Sequence, residues 1–292
     1  MTAHGLQVKA EKEIKPEEDI DSEAFAALLS LFEDFIHGLR EDMTLDELLE
    51  ELAYLRAKLG MEAALKGFDM DFDDAVKLLE TDSASLSDEQ KKRRDILFAA
   101  FDNIIDFAVA EEYTMIDKMA EDVSDIDSDE GFDDDEIEEL MLIFQQYNSN
   151  YRVTEDGDIE HAMHVALGFF LIEDSVVLTY RTQLDDRVRP WHLQYEGFSA
   201  PKAVFPEWLI PPIEHGCRCF LEEVSSTDMD IKDAVYTIPT MPPQFNRTFK
   251  ESVAKGGRIF SGEHPYFTIK EEDADRLNDI AIKIKERYHL NG

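Results

Sequence analysis

Apolar residues recur at Phe25, Leu28, Leu29, Phe32, Phe35, Ile36 and Leu39, a helical spacing with an acidic opposite face. Thr44 with Glu47 makes a capping box ahead of Leu45, Leu48, Leu49, Leu52, Leu55 and Leu59, and Gly60 marks a stop or kink. A shorter helix is expected through Val76, Leu78 and Leu79. Ser87 with Gln90 opens a long one through Ile96, Leu97, Phe101, Ile104, Ile105 and Val109 towards Met119. Another helix is expected from Asp134 to Tyr147, and Thr154 precedes one running from Ile159 to about Leu171. There the pattern changes. Val177–Thr182 has the β-branched and aromatic composition of a buried strand, and Phe220–Val224 reads as a second. Gly256-Gly257 is a turn, and Asp273–Tyr288 closes the chain as an amphipathic helix. The fold class is therefore α+β: an all-helical N-terminal half over 21–148, preceded by a flexible arm over 1–20, then a small α+β domain over 149–268 and a C-terminal helix over 269–292.

Charge separates the parts further. Residues 1–150 carry 13 Lys/Arg against 42 Asp/Glu, whereas the last 27 carry 5 against 6. An acidic half of this kind repels phosphate backbones, so sequence-specific nucleic-acid binding is not expected of it. Solubility, divalent cations or a basic partner surface are what it suits. No apolar run is long enough to span a membrane, and the N-terminus has no signal-peptide core.

The densest carboxylates lie in EDVSDIDSDEGFDDDEIEE, residues 121–139. One reading is a solvated acidic linker. The other is a calcium loop with Asp125, Asp127 and Asp129 at positions 1, 3 and 5, Phe132 as the apolar position and Glu136 as the closing carboxylate. Glu130 stands where such a loop needs glycine, and Gly131 comes one place late.

The stretch Val177–Val224 gathers both cysteines, both tryptophans and five of the ten prolines, and so has the most specific shape. Asp185, Asp186, Arg187 and Arg189 form a charged turn fixed by Pro190, and Trp191-His192 begins a short helix or turn ending at Gly197. Trp208 packs ahead of the rigid Pro211-Pro212 pair. His215, Cys217 and Cys219 alternate, so on a strand they would share a face. With His192 they make a Cys2His2 set that zinc accepts, which makes zinc a candidate cofactor. The competing readings are thiols packed as small hydrophobes, or a nucleophilic cysteine activated by a histidine. Arg218, between the cysteines, points the other way and suits an ion pair with Asp185 or Asp186.

Thr182, Asp185, Arg187, Arg189-Pro190, His192, Gly197, Trp208, Pro211-Pro212 and His215-x-Cys217-Arg218-Cys219, taken in order, resemble the phage Mu gpF-like head morphogenesis domain, the family that includes the minor head protein of phage SPP1. Arg152 and Thr154 upstream, and Phe245-Asn246 to His264-Pro265-Tyr266 downstream, fit the same pattern. The resemblance implies a minor capsid protein of a tailed bacteriophage and not an enzyme. Its partners would be the portal, major capsid or scaffold protein. It would be found in the virion, at the head interior or portal vertex, and in the host cytoplasm during assembly. The alternatives are a zinc-dependent or cysteine hydrolase or nuclease using the His/Cys cluster, and a calcium-binding regulatory protein.

Overall fold

The computed structural model describes residues 23–40, 43–123, 131–224, 237–288 and 290. The arm expected over 1–20 lies outside them. Helices α1 (Glu23–Ile36), α2 (Leu45–Gly67), α3 (Phe72–Glu80), α4 (Asp88–Asp122) and α5 (Asp134–Gln145) form the acidic half. Both capping boxes form: Thr44 accepts from the Glu47 N–H and Ser87 from the Gln90 N–H, while each partner side chain returns a bond to the cap backbone. A third box, Asp133 with Glu136, starts α5.

Gly60 does not stop α2, which runs on to Gly67. A Cβ there would lie 2.8 Å from Ile104 Cγ2 of α4, so glycine serves helix–helix approach. Helix α6 (Arg152–Leu171) begins seven residues before Ile159, directly out of a π-helical turn at Gln146–Tyr151. Its first turns carry Arg152, Glu155, Asp156 and Asp158 inward, and this buried polar run hides the helical stripe from a hydrophobicity reading.

A three-stranded antiparallel sheet follows, in the order β2 (Ser199–Pro201), β1 (Val177–Arg181), β3 (Phe220–Glu223). Central β1 is buried from Val177 to Tyr180, and Thr179 Oγ1 meets Ser199 Oγ at 2.8 Å across the β1–β2 pair. The one-turn helix α7 (Pro190–Leu193) lies between β1 and β2. Gly197, at φ +79, then turns the chain so that its N–H reaches the Tyr180 carbonyl.

One hydrophobic cluster runs through both parts, from Ala24 in α1 to Leu290. Helix α6 packs on α2, and its π-helical entry packs on α4 and α5. The C-terminal helix α8 (Ala274–Arg287) straps back over α2 and α4. Its cations meet the acidic half: Lys285 Nζ lies 2.7 Å from Asp102 and from Asp106, Arg287 pairs with Glu51 and lies over the Tyr54 ring, and Lys283 pairs with Glu50. Among the described residues no helix is long and apolar enough to cross a membrane.

Candidate functional site

The segment Phe205–Cys219 has no long regular element, yet Trp208–Ile213 is buried throughout. Trp208 stands edge-on to Tyr195 and Phe245, at centroid distances of 5.3 and 5.5 Å. This aromatic packing, with the prolines, delivers His-Gly-Cys-Arg-Cys to α7. His192 and the two thiols converge there: a ring nitrogen of His192, Cys217 Sγ and Cys219 Sγ all lie within 4.8 Å of one another, and all three residues are buried. His192 Nδ1 is 3.4 Å from Cys219 Sγ, and its Nε2 is 3.2 Å from Glu214 Oε2. A carboxylate only accepts, so Nε2 donates to Glu214 and Nδ1 faces the Cys219 sulfur. Glu214 is itself held by Trp191 Nε1 at 2.9 Å and Arg189 Nε at 3.1 Å.

The rest of the motif ties around this core. Arg218 Nη2 donates to Asp185 Oδ1 at 2.6 Å, as the sequence led us to expect, and holds that carboxyl below its ordinary range. Asp185 also accepts from the Arg187 N–H, and Arg189 Nη2 donates to the His215 carbonyl at 2.7 Å. Gln183 Nε2 donates to the Arg218 carbonyl, and His161 Nε2 of α6 lies 2.8 Å from the Cys219 carbonyl. A small cleft opens beside the thiols, lined by Gln183, Arg187, Arg189, Arg218, His192 and the two cysteines among others.

His215 does not join the cluster. The segment it occupies is not a strand, and Gly216 takes φ +65 between it and Cys217, which breaks the alternation on which a shared face depended. His215 Nδ1 instead sits 3.0 Å from Asp158 Oδ2 of α6, and the Gly216 N–H donates to Asp158 Oδ1 at 2.8 Å. Burial pushes the Asp158 carboxyl up to about 6. For His215, burial acts to lower the imidazole, and the hydrogen bond and charge of Asp158 outweigh it, so the group titrates above its ordinary value. The four-ligand set His192, His215, Cys217 and Cys219 thus reduces to three. Of the calcium set, Asp125, Asp127 and Asp129 lie outside the described residues, while Glu136 serves the α5 cap, its Oε2 accepting from the Asp133 N–H at 2.9 Å.

Burial raises the Cys217 thiol far above its ordinary value, and a hydrogen bond from Cys217 lowers that of Cys219. Cys219, His192 and Glu214 stand in the order of a thiol, its base and an orienting carboxylate, an orienting group not apparent from the sequence. The thiols are nevertheless only 5 % and 3 % exposed, which suits held ligands or packing better than attack on an extended substrate. Asp158 and His161 were also missed. Both lie on α6, more than 50 residues from their partners, and nothing in the local pattern signals the contact.

No protein-family model, curated protein or solved structure matches this chain.

Proposed function

We propose that this chain is a minor capsid protein of a tailed bacteriophage, of the gpF-like head morphogenesis kind, which works by binding portal, capsid or scaffold components during head assembly. The motif residues that resemble that family support the reading. One observation carries it over the enzymatic alternatives: Asp185, Arg189, His192 and Arg218 of the motif are engaged with one another or with the neighbouring Glu214 and His215 backbone. Arg218 holds Asp185, Arg189 holds Glu214 and the His215 carbonyl, and His192 holds Glu214. Groups so engaged fix a shape rather than await a substrate.

The turn that this knot supports presents Leu184, 69 % exposed and at φ +53, beside Asp185. A leucine in the left-handed region is strained, and here its apolar side chain faces solvent. That is the geometry of a contact residue, and the acidic half adds a field that favours basic partner surfaces.

Co-expression of the tagged full chain with the portal, major capsid and scaffold proteins of its own phage tests the reading. We expect co-purification with at least one of them, and loss of that complex in Leu184→Asp with the unfolding midpoint unchanged. Failure of the wild-type chain to retain any of the three contradicts it.

A further inference from the structure

We propose that His192, Cys217 and Cys219 bind a zinc ion through Nδ1 and two thiolates, leaving a fourth coordination position that solvent fills from the arginine-lined cleft. The proposal stands apart from the assembly reading, since a metal can brace the knot whatever the surrounding surfaces bind.

The geometry is close to what the ion needs. Zinc–sulfur bonds of about 2.3 Å and a zinc–nitrogen bond of about 2.0–2.1 Å at tetrahedral angles place nitrogen and sulfur about 3.6 Å apart and the two sulfurs about 3.8 Å apart. His192 Nδ1 and Cys219 Sγ stand 3.4 Å apart, and all three ligand atoms fall within 4.8 Å of one another. Shifts of a few tenths of an ångström up to about an ångström close the site around an ion. Two thiolates and an imidazole form a soft set that selects zinc over magnesium or calcium.

The surroundings match those of a ligand histidine. Glu214 Oε2 accepts from His192 Nε2, which fixes the tautomer and turns the Nδ1 lone pair inward; a carboxylate behind a histidine is the usual second layer of a zinc site. That carboxylate is clamped by Trp191 and Arg189. The thiols are anchored as well. The Cys217 N–H donates to the Glu214 carbonyl at 3.0 Å, and the Cys219 carbonyl lies against His161. Thiols that merely fill a core have no need of a carboxylate-oriented imidazole aimed at them. The fourth position opens on the cleft because His215 is committed to Asp158 on the other side of Gly216.

The test is metal analysis of the full chain purified without chelator, followed by zinc removal and titration with cobalt(II). We expect one zinc per chain. Cobalt should give thiolate charge-transfer absorption with tetrahedral ligand-field bands, saturating at one equivalent and displaced by zinc. Cys219→Ser should lose about half of the charge-transfer intensity, in line with one thiolate of two. Glu214→Gln should bind about 10- to 100-fold more weakly. His215→Ala should keep the full signal. Folded wild-type protein that holds no zinc and gives no thiolate–cobalt absorption overturns the proposal, and that reading alone decides it if a variant fails to fold. A folded His215→Ala that loses the signal overturns the three-ligand assignment.

Discussion

Arg56 Nε donates to Glu111 Oε2 across 2.7 Å although the two side chains are only 1 % and 0 % exposed. The same guanidinium reaches Asp156 Oδ1 at 2.9 Å and Glu155 Oε2 at 3.1 Å, so one cation on α2 ties α4 to α6. Arg152 shares Asp156, and Tyr266 Oη donates to Glu155 from the closing loop. A fully buried arginine is tolerated because its fork meets three carboxylates at once.

Removing that cation leaves buried carboxylates without their counter-charge. We expect Arg56→Ala to lose about 3–5 kcal/mol of stability, the range for breaking a buried ion pair from one side. Denaturant unfolding reads the loss, and a change below about 1 kcal/mol is incompatible with the cluster as described.

The carboxylates in this cluster outnumber the cations, and burial pushes Glu112 up to about 7 and raises Glu111 strongly, with Arg56 opposing both. The sign follows. A carboxyl that holds its proton more tightly folded than unfolded stabilises the fold below its ordinary value, and that contribution is lost as pH rises through the folded value. Asp158, raised to about 6, acts in the same direction, and so does His215, whose folded value is raised. Stability should therefore fall between pH 5 and 8. Glu112→Gln, which cannot ionise, should fall less than wild type over that range, and equal slopes in thermal melts at a series of pH values would speak against the assignment.

Most of the helical half could be read in advance. Thr44-Glu47 and Ser87-Gln90 are local signals, complete within four residues, and they formed where the pattern put them. The Arg218 ion pair could also be foreseen, because the Cys-Arg-Cys segment offered one arginine and the turn two adjacent aspartates; the structure selects Asp185. The ionic core could not. Acidic residues in so acidic a half read as solvated, and the partners of Arg56 lie 55 to 100 residues away. The same blindness delayed the start of α6, and a single positive φ at Gly216 undid the alternation that had placed His215 with the cysteines.

Two glycines should respond in opposite senses. A Cβ on Gly67 would lie 2.1 Å from the Glu160 carbonyl oxygen of α6, a backbone atom that cannot swing aside. Gly67→Ala should cost about 1–3 kcal/mol as the helices part. Gly168 lies exposed in α6 with nothing within 4 Å of an added Cβ, and Gly168→Ala should gain about 0.5–1 kcal/mol from helix propensity and a less free unfolded chain. Urea midpoints moving the same way in both variants would refute the packing described.

Asn103 of α4 grips the backbone of Phe260: its Nδ2 donates to the Phe260 carbonyl at 3.0 Å, and its Oδ1 accepts from the Phe260 N–H at 2.9 Å. The clamp is buried, and Phe260 stacks on Phe107 beside it. Asn103→Ala strands both backbone groups, and a loss of about 2–3 kcal/mol is expected. Amide exchange at Phe260 should accelerate more than exchange in α1, which does not carry the clamp; uniform acceleration would mean that the loop is held by other contacts.

The proposed assembly role is tested most directly by quantitative mass spectrometry of phage particles purified from a culture that produces this chain. We predict that the chain is present at a few copies per particle, far below the major capsid protein. Its absence from washed, intact particles and from assembling heads alike would contradict the account.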